Sequence, residues 1–372
     1  MIPVCEPYLN GNEIKYVTEA VSTAWISSSG EYVGRFEQSF ADYCGVKHGI
    51  AVVNGTVALH LALLALGIGK GDEVIIPSFT MIATAFAVCY TGAKPVFVDA
   101  DPRTWNIDVN LIEEKITQKT KAIMPVHIFG NPCDMEAISR IAKRHGLYVV
   151  EDAAEAHGAE FQGKKVGSFS DVSAFSFFAN KNLTTGEGGM CLTDDDAFAE
   201  RCRYFKNMCF PVNGPRNYIH DDIGYNYRMS NLHAAIGLAQ TEKADEYREL
   251  RIRNHKIYKE CLAECKGIAF QEDTRESLNV NWMNTVVVDS SQYGHTKDEL
   301  VAHLKEKGID TRLLFQGMAK QKSLRNYGCD CGGEYPVTDM LSDNGFYLPS
   351  GSGLKKEEIE MICDAISGFM QR

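Results

Sequence analysis

Residues 172–190 read Val172-Ser173-Ala174-Phe175-Ser176-Phe177-Phe178-Ala179-Asn180-Lys181-Asn182-Leu183-Thr184-Thr185-Gly186-Glu187-Gly188-Gly189-Met190. The opening run, rich in aromatic and branched residues, predicts a buried strand. It breaks into a polar turn carrying one lysine and closes on a Gly-Glu-Gly-Gly corner before a second apolar run. A single lysine on a loop is by default a solvated charge. Whether Lys181 is more than that depends on what the rest of the chain brings to the end of its strand.

On the N-terminal side, apolar bursts alternate with helical patterns: Ile50–Val53, Glu73–Ile76, Pro95–Val98, Ala122–Val126 and Tyr148–Val150 lead up to Val172–Phe178. Such alternation predicts βα units around a mostly parallel sheet with helices on both faces. Residues 8–48 read as interrupted helix, with Trp25-Ile26-Ser27-Ser28-Ser29-Gly30 as a small-residue loop able to face a ligand. On the C-terminal side, a long helical pattern around Met229–Cys265, charged along one side, leads into strand-like Val286-Val287-Val288. A helix near Asp298–Lys307, a strand near Asp310–Leu314 and a closing helix after Lys355 complete it. The expected division is a large domain over residues 1–240 and a smaller α/β domain over 241–372.

Composition narrows the function. At 372 residues, 45% hydrophobic and 23% charged, the chain matches an ordinary globular protein with a large core. A net charge of −11 with no basic cluster argues against a nucleic-acid surface. No basic leader and no run near the length of a membrane span are visible, so a cytoplasmic protein without membrane contact is expected. The 12 cysteines are scattered through apolar segments; only Cys329 and Cys331 lie close, without a histidine or second pair nearby. Reduced, buried thiols and no metal site are therefore expected.

In an open α/β sheet the ligand sits beyond the carboxyl ends of the strands. Three such positions converge here. Asn54-Gly55-Thr56 ends one strand and starts the helix from Val57, offering free N–H groups and a positive dipole end to a phosphate, or else a plain N-cap. Asp152 ends the strand Leu147–Val150, where a carboxylate can keep a ring nitrogen protonated, bind a metal or cap the next helix. Metal partners are missing nearby. Lys181 follows Ser176 on the adjoining strand. A phosphate cup, an aspartate for a pyridinium and a lysine for a Schiff base are what pyridoxal 5′-phosphate requires. Two decoys fall away: Gly158–Lys165 resembles a P-loop without its Ser or Thr or a following helix, and Gly67–Gly71 precedes a strand instead of opening a helix.

Over nearly its whole length the sequence resembles the DegT/DnrJ/EryC1/StrS sugar-nucleotide aminotransferases, which are fold-type I pyridoxal phosphate enzymes. The carriers are Asn54-Gly55-Thr56, Gly71–Ser78, Pro125-Val126-His127, Glu151–Ala156, Ser176–Lys181 with the Gly186–Gly189 corner, and Gly224–Met229. The resemblance implies a large domain with a mostly parallel seven-stranded sheet plus a smaller C-terminal α/β domain. It implies that Lys181 carries the cofactor and shuttles the proton, that Asp152 pairs with the pyridine nitrogen and that Glu155 approaches the ring hydroxyl. Gly55, Thr56 and Ser176 would hold the phosphate, with Asn226 supplied by the neighbouring subunit of a homodimer whose active sites are shared. Arg228 is either a sugar-nucleotide contact or a structural ion pair, and His127 either a pocket residue or a packed core histidine. Trp25, Ser28 and Phe315 complete the candidate substrate residues.

Two departures stand out. Met81 follows Ser78-Phe79-Thr80 where many relatives place an aromatic over the cofactor, and Phe315-Gln316-Gly317-Met318-Ala319 lacks the Phe-x-Pro-x-His of some relatives. A related dehydratase branch has histidine in place of the lysine, so Lys181 favours transamination. The implied reaction moves an amino group from L-glutamate to a nucleotide-linked 4-keto-6-deoxy sugar. Another sugar nucleotide (UDP- or dTDP-linked, aminated at C3 or C4) or a small keto phosphate as acceptor, a decarboxylase or a non-catalytic scaffold of the same fold are the alternatives.

Overall fold

A computed structural model describes every residue of the chain except 214, 216, 217, 371 and 372. Its main sheet has seven strands: β1 (His48–Val52), β2 (Glu73–Pro77), β3 (Lys94–Val98), β4 (Thr120–Ile123), β5 (Tyr148–Asp152), β8 (Val172–Ser176) and β9 (Gly189–Thr193). The order is β1-β9-β8-β5-β4-β2-β3. Pairs from β8 through β5, β4 and β2 to β3 are parallel, whereas β9 runs antiparallel to both β8 and β1. The central strands are buried on both faces, which is why they read as continuous apolar runs and not as alternating ones. Phe175 and Phe177 are fully buried and pack edge-on against Phe40 and Phe36 of the N-terminal helices. Each such ring contributes about 1.5–3 kcal/mol by leaving water.

A second sheet, in the order β10-β12-β14-β13, is antiparallel: β10 (Ile268–Phe270), β12 (Asn284–Val288), β13 (Arg312–Leu313) and β14 (Gly345–Leu348). It packs on the closing helix Lys356–Met370 through Val286, Phe346, Ile359 and Ile362. The chain's first residues reach across to it, Ile2 bridging to Ile309. The Met229–Cys265 pattern is two helices, Asn231–Thr241 and Ala244–Cys261, broken around Glu242-Lys243. The Gly158–Lys165 stretch forms the two-residue strands β6 (Glu160–Phe161) and β7 (Lys164–Lys165), paired with β11 (Ser277–Leu278), and no helix follows.

Parallel strands that share a direction also share a carboxyl end. Asp152 therefore pairs in register with Ala174, two residues before Ser176, and one turn carries the chain on to Lys181. At that same end Gly55 opens the helix Gly55–Ala65, with the Asn54 side chain accepting from Val57 N–H at 3.0 Å.

Candidate active site

The Lys181 side chain is only 10% exposed, although it stands on a polar turn. Its Nζ lies 4.0 Å from Glu155 Oε1 and 3.7 Å from the centre of the Trp282 ring. Burial pushes the amine's pKa below the ordinary lysine value, while Glu155, Asp152 and Cys5 pull the other way. Glu155 is held by the Phe129 N–H at 2.7 Å, and burial raises its carboxyl above the usual range against the attraction of Lys181. Phe129 makes that bond from a left-handed backbone conformation, φ 56°. Bulky residues adopt such a conformation only where the surroundings fix it.

Asp152 is 4% exposed. One carboxylate oxygen accepts from Thr84 Oγ1 at 2.8 Å and the other from Ala154 N–H at 3.2 Å. Burial raises its pKa, and the bonds from Thr84 and Ala154 lower it only in part. A carboxylate in that condition gains from any cation placed against it. Thr84 is itself 3.1 Å from Thr80 Oγ1, so the helix Ile82–Tyr90, which follows β2, buttresses the aspartate from two strands away.

At the other side of β8 the start of the Gly55–Ala65 helix presses on Ser176. A Cβ on Gly55 would come 2.6 Å from Ser176 Cβ, so only glycine lets the helix start and the serine approach this closely. The residues thereby form a narrow cup of helix N–H groups and one hydroxyl, the set that holds a phosphate. With an amine, a charge-seeking carboxylate and this cup at one sheet end, the site fits pyridoxal phosphate.

The remaining candidates spread out. Met81 is 47% exposed and its sulfur accepts from Ala83 N–H, capping the Ile82–Tyr90 helix. Phe315 stacks on Phe129, with ring centres 5.7 Å apart. Asn226 is exposed, and its Oδ1 accepts twice from Arg228, at 3.0 and 2.8 Å. That segment lies along β1, where Arg228 bridges to Val52. Trp25 is 57% exposed and lines, with Ser29 and Asn231, a groove whose walls include neither Lys181 nor Asp152; Ser28 is half-buried in the same loop. His127 is fully buried: its Nδ1 accepts from Cys133 N–H, so Nε2 carries the proton and donates to Glu151 Oε1 at 3.1 Å. It packs in the core beneath the site. Among the described residues no cluster of His, Cys, Asp and Glu suits a metal ion.

Sequence reasoning missed Thr84, Trp282 and Tyr347. Tyr347 is 7% exposed and its hydroxyl, raised in pKa by burial and by Glu155, has no hydrogen-bond partner among the described residues. All three arrive from elements distant in sequence, and nothing in their own neighbourhoods marks them.

The model of one protein family, the DegT/DnrJ/EryC1/StrS aminotransferase family, matches residues 7–367. The chain belongs to that family. As an aminotransferase of the DegT group it is 45% identical over 368 residues to the GDP-perosamine synthase of Escherichia coli O157:H7, covering 99% of this chain and 98% of the relative. Identity to the GDP-perosamine synthase of Caulobacter vibrioides is 45% over 366 residues, with 98% and 97% covered. The crystal structure of DesV from S. venezuelae, solved with a ketimine intermediate, superposes with a TM-score of 0.90 at 34% identity, covering 97% of this chain and 95% of that one. The DegT family and its structural neighbours depend on pyridoxal phosphate.

Proposed function

We propose that this sugar-nucleotide aminotransferase carries pyridoxal 5′-phosphate on Lys181 and passes the amino group of L-glutamate to a GDP-linked 4-keto-6-deoxy sugar, yielding GDP-perosamine. The observation that carries the reading is the convergence of Lys181, Glu155 and Asp152 at one sheet end. The relatives named GDP-perosamine synthase support the substrate. Pyridoxal phosphate, when bound, supplies an aldehyde for the lysine, an electron-accepting protonated ring and a phosphate anchor.

The protein's part is positioning and proton traffic. Asp152, kept ionised by a ring cation, holds that ring acidic, while Thr84 and Ala154 fix its direction. Gly55, Thr56 and Ser176 bind the phosphate. Lys181, biased by burial toward its neutral form, takes a proton from the reacting carbon and returns it, with Glu155 beside it to stabilise the ammonium. Trp282 covers the amine, and beside it Phe129 packs edge-on against Tyr347. Residues 1–240 form the cofactor domain and 241–372 the smaller one. The product is destined for surface polysaccharide, such as the O-antigen of lipopolysaccharide, and is made in the cytoplasm; among the described residues no helix is long and apolar enough to cross a membrane.

The enzyme acts as a homodimer with shared sites. Met208, Tyr218 and Ile223 stand exposed on the segment leading to Asn226, Ile223 by 85%. Apolar side chains so exposed on one segment favour a partner surface. Mixing inactive Lys181→Ala and Asn226→Ala proteins is expected to restore up to about a quarter of wild-type turnover, because one site of each heterodimer is intact. Additive residual activities would exclude sharing.

The substrate reading is tested by incubating the protein with glutamate and GDP-, UDP- or dTDP-linked 4-keto-6-deoxy sugar, with mass and NMR identification of the amino sugar. Amination of the GDP sugar at C4 is the expected result. Preference for another base, for C3 or for a small keto phosphate would refute it.

A further inference from the structure

Trp282 reaches the site from the segment just before β12 and is 4% exposed. Contacts on both its ring and its backbone fix it. Its ring centre lies 3.7 Å from Lys181 Nζ, its indole Nε1–H donates to the Asn180 carbonyl at 2.8 Å, and its own carbonyl accepts from Arg251 at 2.9 Å. Arg251 is buried and bound besides to the Ser350 carbonyl and Ser352 Oγ, so the tryptophan's backbone is pinned by a guanidinium with no room to wander. The Cys5 thiol donates to the same Asn180 carbonyl at 3.4 Å. The peptide group immediately before the lysine is thus gripped by two donors that belong to neither β8 nor β9.

We propose that Trp282 is a positioning residue for Lys181: its ring is the platform on which the amine rests, and its N–H fixes the turn from which the amine projects. The proposal rests on the reading of Lys181 as the cofactor-carrying lysine. A π face attracts an ammonium and not a neutral amine. The ring therefore acts against burial and helps set the pH at which the amine becomes free to react. The other groups facing this amine are Glu155, Asp152, Cys5 and His157, all carried by elements other than that of Trp282. A tryptophan that merely filled the core would leave the amine's pH response unmoved.

The test uses the full-length chain freed of cofactor and mixed with pyridoxal 5′-phosphate. The lysine nitrogen attacks the aldehyde carbon, one water leaves, and borohydride fixes the adduct for peptide mass mapping. Capture is followed against pH. In the wild type the label falls on Lys181 and the rate rises with pH to a plateau. Trp282→Leu is expected to move the midpoint down by about one pH unit and to lower the plateau about tenfold. Trp282→Phe keeps a ring and loses the N–H, so the midpoint stays near that of the wild type while the plateau falls. A Trp282→Leu protein, folded by its thermal transition, with wild-type midpoint and plateau would overturn the proposal. Should that variant not fold, a wild-type plateau in Trp282→Phe overturns it equally. Label on a lysine other than 181, or undiminished capture in Lys181→Ala, would instead overturn the underlying reading of Lys181, and the proposal with it.

Discussion

Lys181→Ala is expected to lose at least about 10³-fold in turnover, with no visible absorbance from a lysine-bound cofactor and no borohydride-stable adduct. The substitution removes both the point of attachment and the group that moves the proton. Among the described residues no other lysine shares an ion pair with Glu155, so none stands ready to substitute. The fold should survive. Burial already disfavours the ammonium, so its removal relieves a cost, and the void left behind is bounded by the Trp282 ring and Glu155. Glu155, deprived of its cation, then holds a proton more readily, since the attraction of Lys181 was one of the influences keeping its pKa down. Kinetics, absorbance and thermal melting together check this, and a small added amine should restore part of the lost rate without restoring attachment. Near-wild-type turnover in this variant would remove the mechanism.

Much of this arrangement was legible in the sequence because of how it is buried. Strands covered on both faces must be largely apolar, so β2, β5 and β8 announced themselves as runs, and the residues ending them stood out. Asp152, Ser176 and Lys181, which the structure gathers at one sheet end, were singled out in that way. Strand direction left no such trace: the apolar run after the glycine corner does not reveal that β9 is antiparallel to its neighbours. Strands of three or four residues, such as β10 and β14, are too short for periodicity to register. The break at Glu242-Lys243 was hidden because charged residues continue across it without glycine or proline. Trp282 and Tyr347 reach the site only once the second sheet is folded against the first. In the sequence Tyr347 is one more aromatic residue in an apolar stretch and Trp282 a lone ring among asparagines, and the chemistry they attend is some 100 residues or more away along the chain, as the spacing of Trp282 from Asn180 illustrates.

Asp152→Asn is the second large effect, expected to cost about 10²–10³-fold in turnover while leaving Lys181 able to capture the cofactor. The exchange preserves shape and inverts one hydrogen-bonding role. Thr84 Oγ1 and Ala154 N–H both donate to the carboxylate, at 2.8 and 3.2 Å. An asparagine must turn its carbonyl oxygen to one of these donors and present its NH₂ elsewhere. If the NH₂ faces the ring, a donor meets a protonated nitrogen and the ring loses its proton; if it faces Ala154 N–H, a donor meets a donor in a buried site, and if it faces Thr84 the hydroxyl must turn round to accept. Either way the ring is a poorer electron acceptor, and the loss appears in the step that breaks the carbon–hydrogen bond. Stability should move the other way. Burial raises the Asp152 pKa, so at neutral pH the ionised carboxylate costs the cofactor-free fold energy that a neutral amide does not. The sign gives a clear signature: relative to wild type, the cofactor-free variant melts at an equal or higher temperature at pH 7, and that advantage shrinks as the pH falls and the wild-type carboxyl takes up its proton. Reduced turnover with an unimpaired melt assigns Asp152 to the chemistry. Wild-type turnover would sever it from the ring nitrogen, and a large loss of stability at neutral pH would mean that the carboxylate's bonds to Thr84 and Ala154 outweigh its burial.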